Sequence, residues 1–136
     1  MQTLCRPVAP RDCDILGHMN VAAYVDAVSD AMFILQGMAG LDRARMGVAQ
    51  RSFVAARLEC DYRAEMLAGD VFRIDSRVLS VGTKSARFAH VMTRLSDGAT
   101  VFTAENVSVH FDLAARRALP IPDDLRQALE HLGEAR

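Results

Sequence analysis

The main change of rhythm between apolar and polar positions along this chain falls near residue 50. Before that point the dominant pattern is helical. Val21, Tyr24, Val25, Val28, Ala31, Met32 and Leu35 recur on one side of a 3.6-residue period, which predicts a helix over Val21–Gln36. Asn20 stands where an N-cap belongs, and Gly37 and Gly40 stop the run. A short opening strand, Gln2 to Val8, precedes it and is ended by Pro7 and Pro10. Leu41 to Met46 suits one further turn, closed by Gly47.

Beyond residue 50 the period drops to two. Phe53 to Tyr62 puts Val54, Ala56, Leu58, Cys60 and Tyr62 on one face and Arg57, Glu59 and Asp61 on the other. Ala68-Gly69-Asp70 turns into a strand over Val71–Val81, and Gly82-Thr83 turns into another from about Lys84 to Leu95. Ser96-Asp97-Gly98 is a hairpin signal, since an Asp-Gly pair tolerates positive backbone angles. The last long strand, Thr100 to Asp112, sets Val101, Thr103, Val107, Val109 and Phe111 on one face. After Pro120 and Pro122 a short helix begins at Asp123 and Asp124, with Leu125, Leu129 and Leu132 at helical spacing.

Strand, long helix, then four strands joined by hairpin-length turns is an α+β order. One long helix among so many antiparallel strands buries its stripe by lying across one face of a curled sheet. Residues 1–136 are expected to form a single domain, and dimerisation is the usual cover for the remaining sheet face and edge.

Composition narrows the function more than the fold. At 51% hydrophobic and 24% charged the chain reads as an ordinary globular protein. A net charge of −1 argues against a nucleic-acid binder with a broad basic face. The basic residues are nearly all arginine, Lys84 being the one lysine. No basic start precedes a long apolar core, so no signal peptide is expected. Asp26 and Asp30 interrupt the long apolar stretch, and no window reads as membrane-spanning. Three cysteines, Cys5, Cys13 and Cys60, are an odd count without close pairing, which suggests free thiols in a reducing, cytoplasmic compartment. Asn106-Val107-Ser108 matches a glycosylation pattern by chance, inside a predicted strand.

Candidate chemistry is concentrated in Arg11-Asp-Cys-Asp-Ile-Leu-Gly-His-Met-Asn20, which packs two carboxylates, a thiol, an imidazole and a glycine into one polar loop. The loop ends at the positive end of the long helix, a place that favours anions and polarises carbonyls. Cys13 lies between two acids, which raise a thiol pKa and blunt a nucleophile. Cys13, Asp14 and His18 have no second ligand cluster at metal spacing, so no metal and no cofactor is expected.

This loop, Tyr24 on the helix, and the later Glu59-Cys-Asp-Tyr62, Ala68-Gly69-Asp70 and Val81-Gly-Thr-Lys-Ser85 resemble, in order and over nearly the whole chain, the hotdog-fold acyl-CoA thioesterases of the 4-hydroxybenzoyl-CoA thioesterase-like family. The resemblance implies an α+β hotdog fold, hydrolysis of an acyl-CoA thioester without metal or redox cofactor, and a site between two protomers of a homodimer, often a dimer of dimers. It implies Asp14 as the catalytic carboxylate and the amide near Val21 as the contact for the thioester carbonyl. It also implies phosphate contacts at Lys84, Ser85 and Arg87, with Arg57 and Arg63 as further candidates. Two positions depart from the pattern: Val21 stands where many relatives carry a second Asn, and Asp30-Ala31-Met32 where they carry a basic residue.

The chemistry of a thioester fits these residues. Asp14 can attack the carbonyl or act as general base, and the first-turn amides can stabilise the oxyanion. His18 either orients the loop or holds a water, Asn20 caps the helix and can touch substrate, and Asp12 folds the loop. Asp26 and Asp30 are second choices for a helix carboxylate. Tyr24, Phe33, Phe53 and Phe88 can line an acyl pocket or simply pack. Alternatives are a non-catalytic acyl-CoA-binding module, an acyl carrier protein thioesterase, or an enoyl-CoA hydratase, for which Asp14 and His18 fit poorly.

Overall fold

The computed structural model describes residues 1–134. In chain order the elements are β1 (Gln2–Pro7), a 3-10 turn (Pro10–Asp12), α1 (Val21–Met38), a π-helical turn (Ala44–Val48), β2 (Arg51–Tyr62), β3 (Val71–Val81), β4 (Ser85–Arg94), β5 (Thr100–Asp112), β6 (Arg117–Ala118) and α2 (Asp123–Glu134). The strands form one sheet in the order β1-β3-β4-β5-β2, with β6 paired to the end of β5. β1 runs antiparallel to β3, with Cys5 opposite Arg73. The Arg63 amide donates to the Val101 carbonyl and the Leu113 amide to the Gln50 carbonyl, so β2 and β5 also run antiparallel. This is the α+β hotdog fold.

Two compact units divide the chain. The first comprises Met1–Ile34, Cys60–Ser76 and His90–Ala104; the second comprises Leu35–Glu59, Arg77–Ala89 and the chain from Glu105 onward. In the first, α1 turns Tyr24, Ala27, Val28 and Ala31 into a cluster with Val8, Met19, Met66, Phe72, Ile74, Met92, Val101, Phe102 and Ala104. Beneath it Thr3 Oγ1 lies 2.6 Å from Ser76 Oγ, which lies 2.7 Å from Nδ1 of buried His90. In the second unit, Leu35, Leu41, Phe53, Phe88, Leu125 and Leu129 are buried. The Gln36 side-chain oxygen there accepts from the Ser52 hydroxyl (3.2 Å) and the Phe53 amide (3.4 Å).

The helical stripe appears as expected, except that Val21 at its head is exposed and Gln36 joins its buried side. α1 runs two residues past the predicted end. Gly37 lies inside it, and Gly40, at φ +89°, makes the stop. The Leu41 amide donates to the Gln36 carbonyl and the Gly40 amide to the Gly37 carbonyl, the paired bonds of a Schellman ending. α1 is also long and apolar enough to cross a membrane by length and composition, which corrects the reading that no window does so. Its apolar side chains from Tyr24 to Ala31 are the ones packed in the first unit's core.

In β5 the even-numbered face, carrying Phe102, Ala104, Asn106, Ser108 and His110, is buried, while on the apolar odd-numbered face Val101 is buried and Thr103, Val107, Val109 and Phe111 are half-buried. The polar members are paired inside: Asn106 Nδ2 donates to Ser108 Oγ (2.8 Å), and His110 Nδ1 lies 3.1 Å from the Pro120 carbonyl. Hydrogen bonding offsets the cost of burying these polar side chains. Burial of Asn106 also agrees with reading its glycosylation pattern as chance.

Candidate active site

The polar loop is folded by its own carboxylates. Asp12 Oδ2 accepts from the Ala9 amide and from Arg6 Nη1, both at 2.7 Å. Burial opposes the Asp12 charge, yet the bonds from Arg6 and Ala9 hold its carboxyl below the usual range. The Asn20 amide donates to the Asp12 carbonyl at 2.8 Å, and Cys13 and Met19 pair as an antiparallel bridge, so the loop closes on the start of α1. Gly17, at φ +85°, makes the turn between them, a backbone angle that a side chain would strain. Asp12 is the structural acid that the sequence suggested.

Asp14 sits inside that turn. Its Oδ1 accepts from the Leu16 amide at 2.8 Å, and its Oδ2 accepts from Asn20 Nδ2 at 2.6 Å. The hydrogen bond from Asn20, then the one from Leu16, lower its pKa below 3.8, with His18 adding a smaller attraction. Asn20 is bound at its other end too: Oδ1 accepts from the Ala22 amide at 2.8 Å, the N-cap bond of α1. One side chain therefore ties the Asp14 carboxylate to the helix's first turn. The Val21 amide follows at the first helical position, where a helix supplies no acceptor of its own.

Beside this point is a cavity of about 300 Å³, lined by His18, Met19, Val21, Tyr24, Tyr62, Arg63, Ala64 and Glu65. His18 Nδ1 lies 3.3 Å from the Met19 carbonyl, and its Nε2 lies 3.9 Å from Glu65 Oε1. The Tyr24 hydroxyl donates to the Ala64 carbonyl (3.3 Å) and the Tyr62 hydroxyl to the Val21 carbonyl (3.4 Å). Burial pushes both phenols above their ordinary pKa, so both stay protonated donors at neutral pH. Asp14 is bonded to Asn20, the neighbour of cavity-lining Val21, but does not itself line the cavity.

The first unit thus brings together Asp14, His18, Asn20, Val21 and Tyr24. The predicted phosphate contacts lie in the second. Arg57 is paired with Glu59, and Arg87 Nη2 with Glu105 Oε2 at 2.9 Å, along a small groove that also includes Asn106 and Val107. Lys84 is exposed at the β3–β4 turn, and the Ser85 carbonyl accepts from the Gly82 amide. Of the four aromatic candidates Tyr24 alone lines the cavity. Phe33 is exposed, and Phe53 and Phe88 meet edge to face, 6.0 Å apart. Asp26 and Asp30 are exposed on α1. Sequence reasoning missed Glu65 and gave Tyr62 no role of its own. Tyr62 could have been found, as the last residue of the alternating face of β2; Glu65, in a short loop, carried no pattern.

Known proteins resemble this chain in sequence and in fold. A curated relative from Agrobacterium fabrum, L-carnitine dehydrogenase/betainyl-CoA thioesterase, is 33% identical over 119 residues. The match covers 88% of this chain but 24% of that protein, so the chain spans about a quarter of its length. The long-chain acyl-CoA thioesterase FadM of Escherichia coli is 27% identical over 120 residues, covering 88% of this chain and 89% of FadM. A Staphylococcus aureus protein solved in complex with CoA superposes with a TM-score of 0.89 at 19% identity, over 98% of this chain and 85% of its own, a likeness of fold. With the family model matching residues 8–129, the chain belongs to the Thioesterase-like superfamily.

Proposed function

We propose that this chain is a cytoplasmic thioesterase that hydrolyses an acyl-CoA to the free acid and CoA, with Asp14 as nucleophile or general base. The observation that carries this reading is the run of hydrogen bonds from Asp14 through Asn20 to the Ala22 amide. It holds an ionised carboxylate beside the helix end whose amides can receive a developing oxyanion. In direct attack, an Asp14 oxygen bonds to the thioester carbon, the tetrahedral oxyanion collapses with loss of the CoA thiolate, and water cleaves the resulting anhydride. In the other route Asp14 takes a proton from the attacking water. The Val21 amide contacts the carbonyl oxygen in both, and His18 and Asn20 shape the loop.

CoA brings several negative charges, for which Lys84 and Ser85, and Arg57 and Arg87 after exchange from their glutamate partners, are the proposed contacts. The active form is a homodimer or a dimer of dimers. β2 ends the strand order and is exposed from Ala55 to Glu59, as an edge covered by a second copy would be. The relatives above are named for a betainyl and a long-chain thioester, so the acyl group must be read from the cavity. Thiol release from a panel of acyl-CoAs tests the activity. Asp14→Asn is expected to lower turnover by roughly 10² or more while the protein stays folded. An Asn variant with undiminished turnover would sink the assignment, and saturable acyl-CoA binding without thiol release would make the chain a binding module.

A further inference from the structure

The turn between β3 and β4 is held by its oxygens. Each carbonyl from Val81 to Ser85 accepts a hydrogen bond. Arg126 of α2 donates to the first two, Nη1 to Val81 at 3.3 Å and Nη2 to Gly82 at 2.7 Å. The Ile121 amide, just ahead of α2, donates to Thr83 at 2.8 Å, and the His110 amide of β5 to Lys84 at 2.8 Å. The Gly82 amide closes the turn on the Ser85 carbonyl at 2.7 Å. α2 reaches this turn because it is docked along β3. Leu125 and Leu129 are buried, and a Cβ on Gly133 would stand 3.2 Å from the Val78 carbonyl, so the helix backbone lies close against the strand.

A planar trans peptide points its C=O and its N–H in opposite directions. Carbonyls drawn towards Arg126 and Ile121 therefore turn the amides across the same peptides, those of Thr83 and Lys84, the other way. Both residues are exposed, and neither amide has a partner among the described residues. Successive outward amides make a concavity that binds anions. The Lys84 ammonium stands on the same turn, with no carboxylate partner among the described residues. Arg126 has none either, whereas Arg57 and Arg87 are held by Glu59 and Glu105. Its charge is permanent, and it rests on the oxygen of the peptide whose other end is the Thr83 amide. A peptide polarised at its oxygen is a stronger donor at its nitrogen.

Resting on the thioesterase reading above and on Lys84 as a CoA contact, we propose that Arg126 is a positioning residue for the substrate. Through the Val81 and Gly82 carbonyls it sets the β3–β4 turn so that the Thr83 and Lys84 amides receive a phosphate of the CoA nucleotide. The test compares one acyl group carried on CoA and on pantetheine, which lacks the nucleotide. Arg126→Ala is expected to raise KM for the acyl-CoA about fivefold with kcat unchanged, and to leave KM for the acylpantetheine at its wild-type value. If Arg126→Ala does not fold, Arg126→Lys, which keeps the charge but loses the paired donors, takes its place with the same expected split. A variant that shifts both substrates alike, or lowers kcat, has lost only fold stability, and one with the wild-type KM for acyl-CoA has lost nothing that binding uses. Each of these results overturns the inference and leaves the thioesterase reading standing. If the wild type cleaves neither thioester, calorimetry with CoA itself decides. Weaker binding of CoA to the variant than to the wild type upholds the positioning role and sinks only hydrolysis, whereas equal binding, or none to either, overturns the positioning role as well.

Discussion

Asn20 is bound at both ends, and that makes its identity more demanding than its neighbours'. Its oxygen accepts from the Ala22 amide while its nitrogen donates to Asp14. Alanine can do neither. Asn20→Ala is expected to cost about 1 kcal/mol in unfolding free energy through the lost cap, readable in a urea titration. Aspartate keeps the acceptor but replaces the donor with a second carboxylate against Asp14. A like charge favours the neutral form, so the pKa of Asp14, depressed in the wild type, should rise. Asn20→Asp should therefore shift the acidic limb of the pH–rate profile upward. An Asn20→Asp profile that overlays the wild type would mean that the Asn20 bond does not govern the reacting carboxylate.

Among the elements, the β4–β5 hairpin has a pH dependence of its own. Asp97 accepts from Arg94 and from the Ala99 amide, and the Arg94 bond above all lowers its carboxyl from 3.8 to about 2. A depressed carboxylate stabilises the fold fully above its unfolded value and loses that contribution as pH falls through the folded one. Wild type should thus exceed Asp97→Asn in stability above about pH 4 and converge with it towards pH 2. Because the pair is exposed, the gap should shrink in high salt. Melting curves at a series of pH values check this; a constant gap would rule the pair out as its source. The same hairpin was legible in the sequence, since Asp97-Gly98 needs no tertiary context to turn. So was α1, whose period outweighed two aspartates. The extent of β5 was legible too, but the burial of Asn106, Ser108 and His110 was not, because their partners belong to no local pattern of apolar residues. Asp14, His18, Asn20, Val21 and Tyr24 lie close together in sequence, and the family resemblance is what gave Asp14 and Val21 their expected roles; Tyr62 and Glu65 come to the cavity from a later part of the chain.

For the whole molecule, the exposed apolar side chains are the outstanding term. Ile15 and Leu16, the two residues after Asp14, lie open to solvent, and so to a lesser degree do Leu58 and Tyr62 on the terminal strand β2. Each is tolerable singly, but an open strand edge with apolar side chains templates pairing with another chain. With a net charge of −1 there is little long-range repulsion to keep copies apart. Sedimentation equilibrium should therefore give at least twice the mass of one chain at micromolar concentration. Leu58→Glu places a charge on the exposed part of β2 and should shift the equilibrium towards the single chain. If the site is completed by a second copy, thiol release should fall along with the dimer, and raising the protein concentration should restore it in proportion to the dimer re-formed. A wild-type chain that sediments alone while turning over acyl-CoA would show that one protomer holds the complete site. A variant that stays monomeric yet fully active would carry the same message.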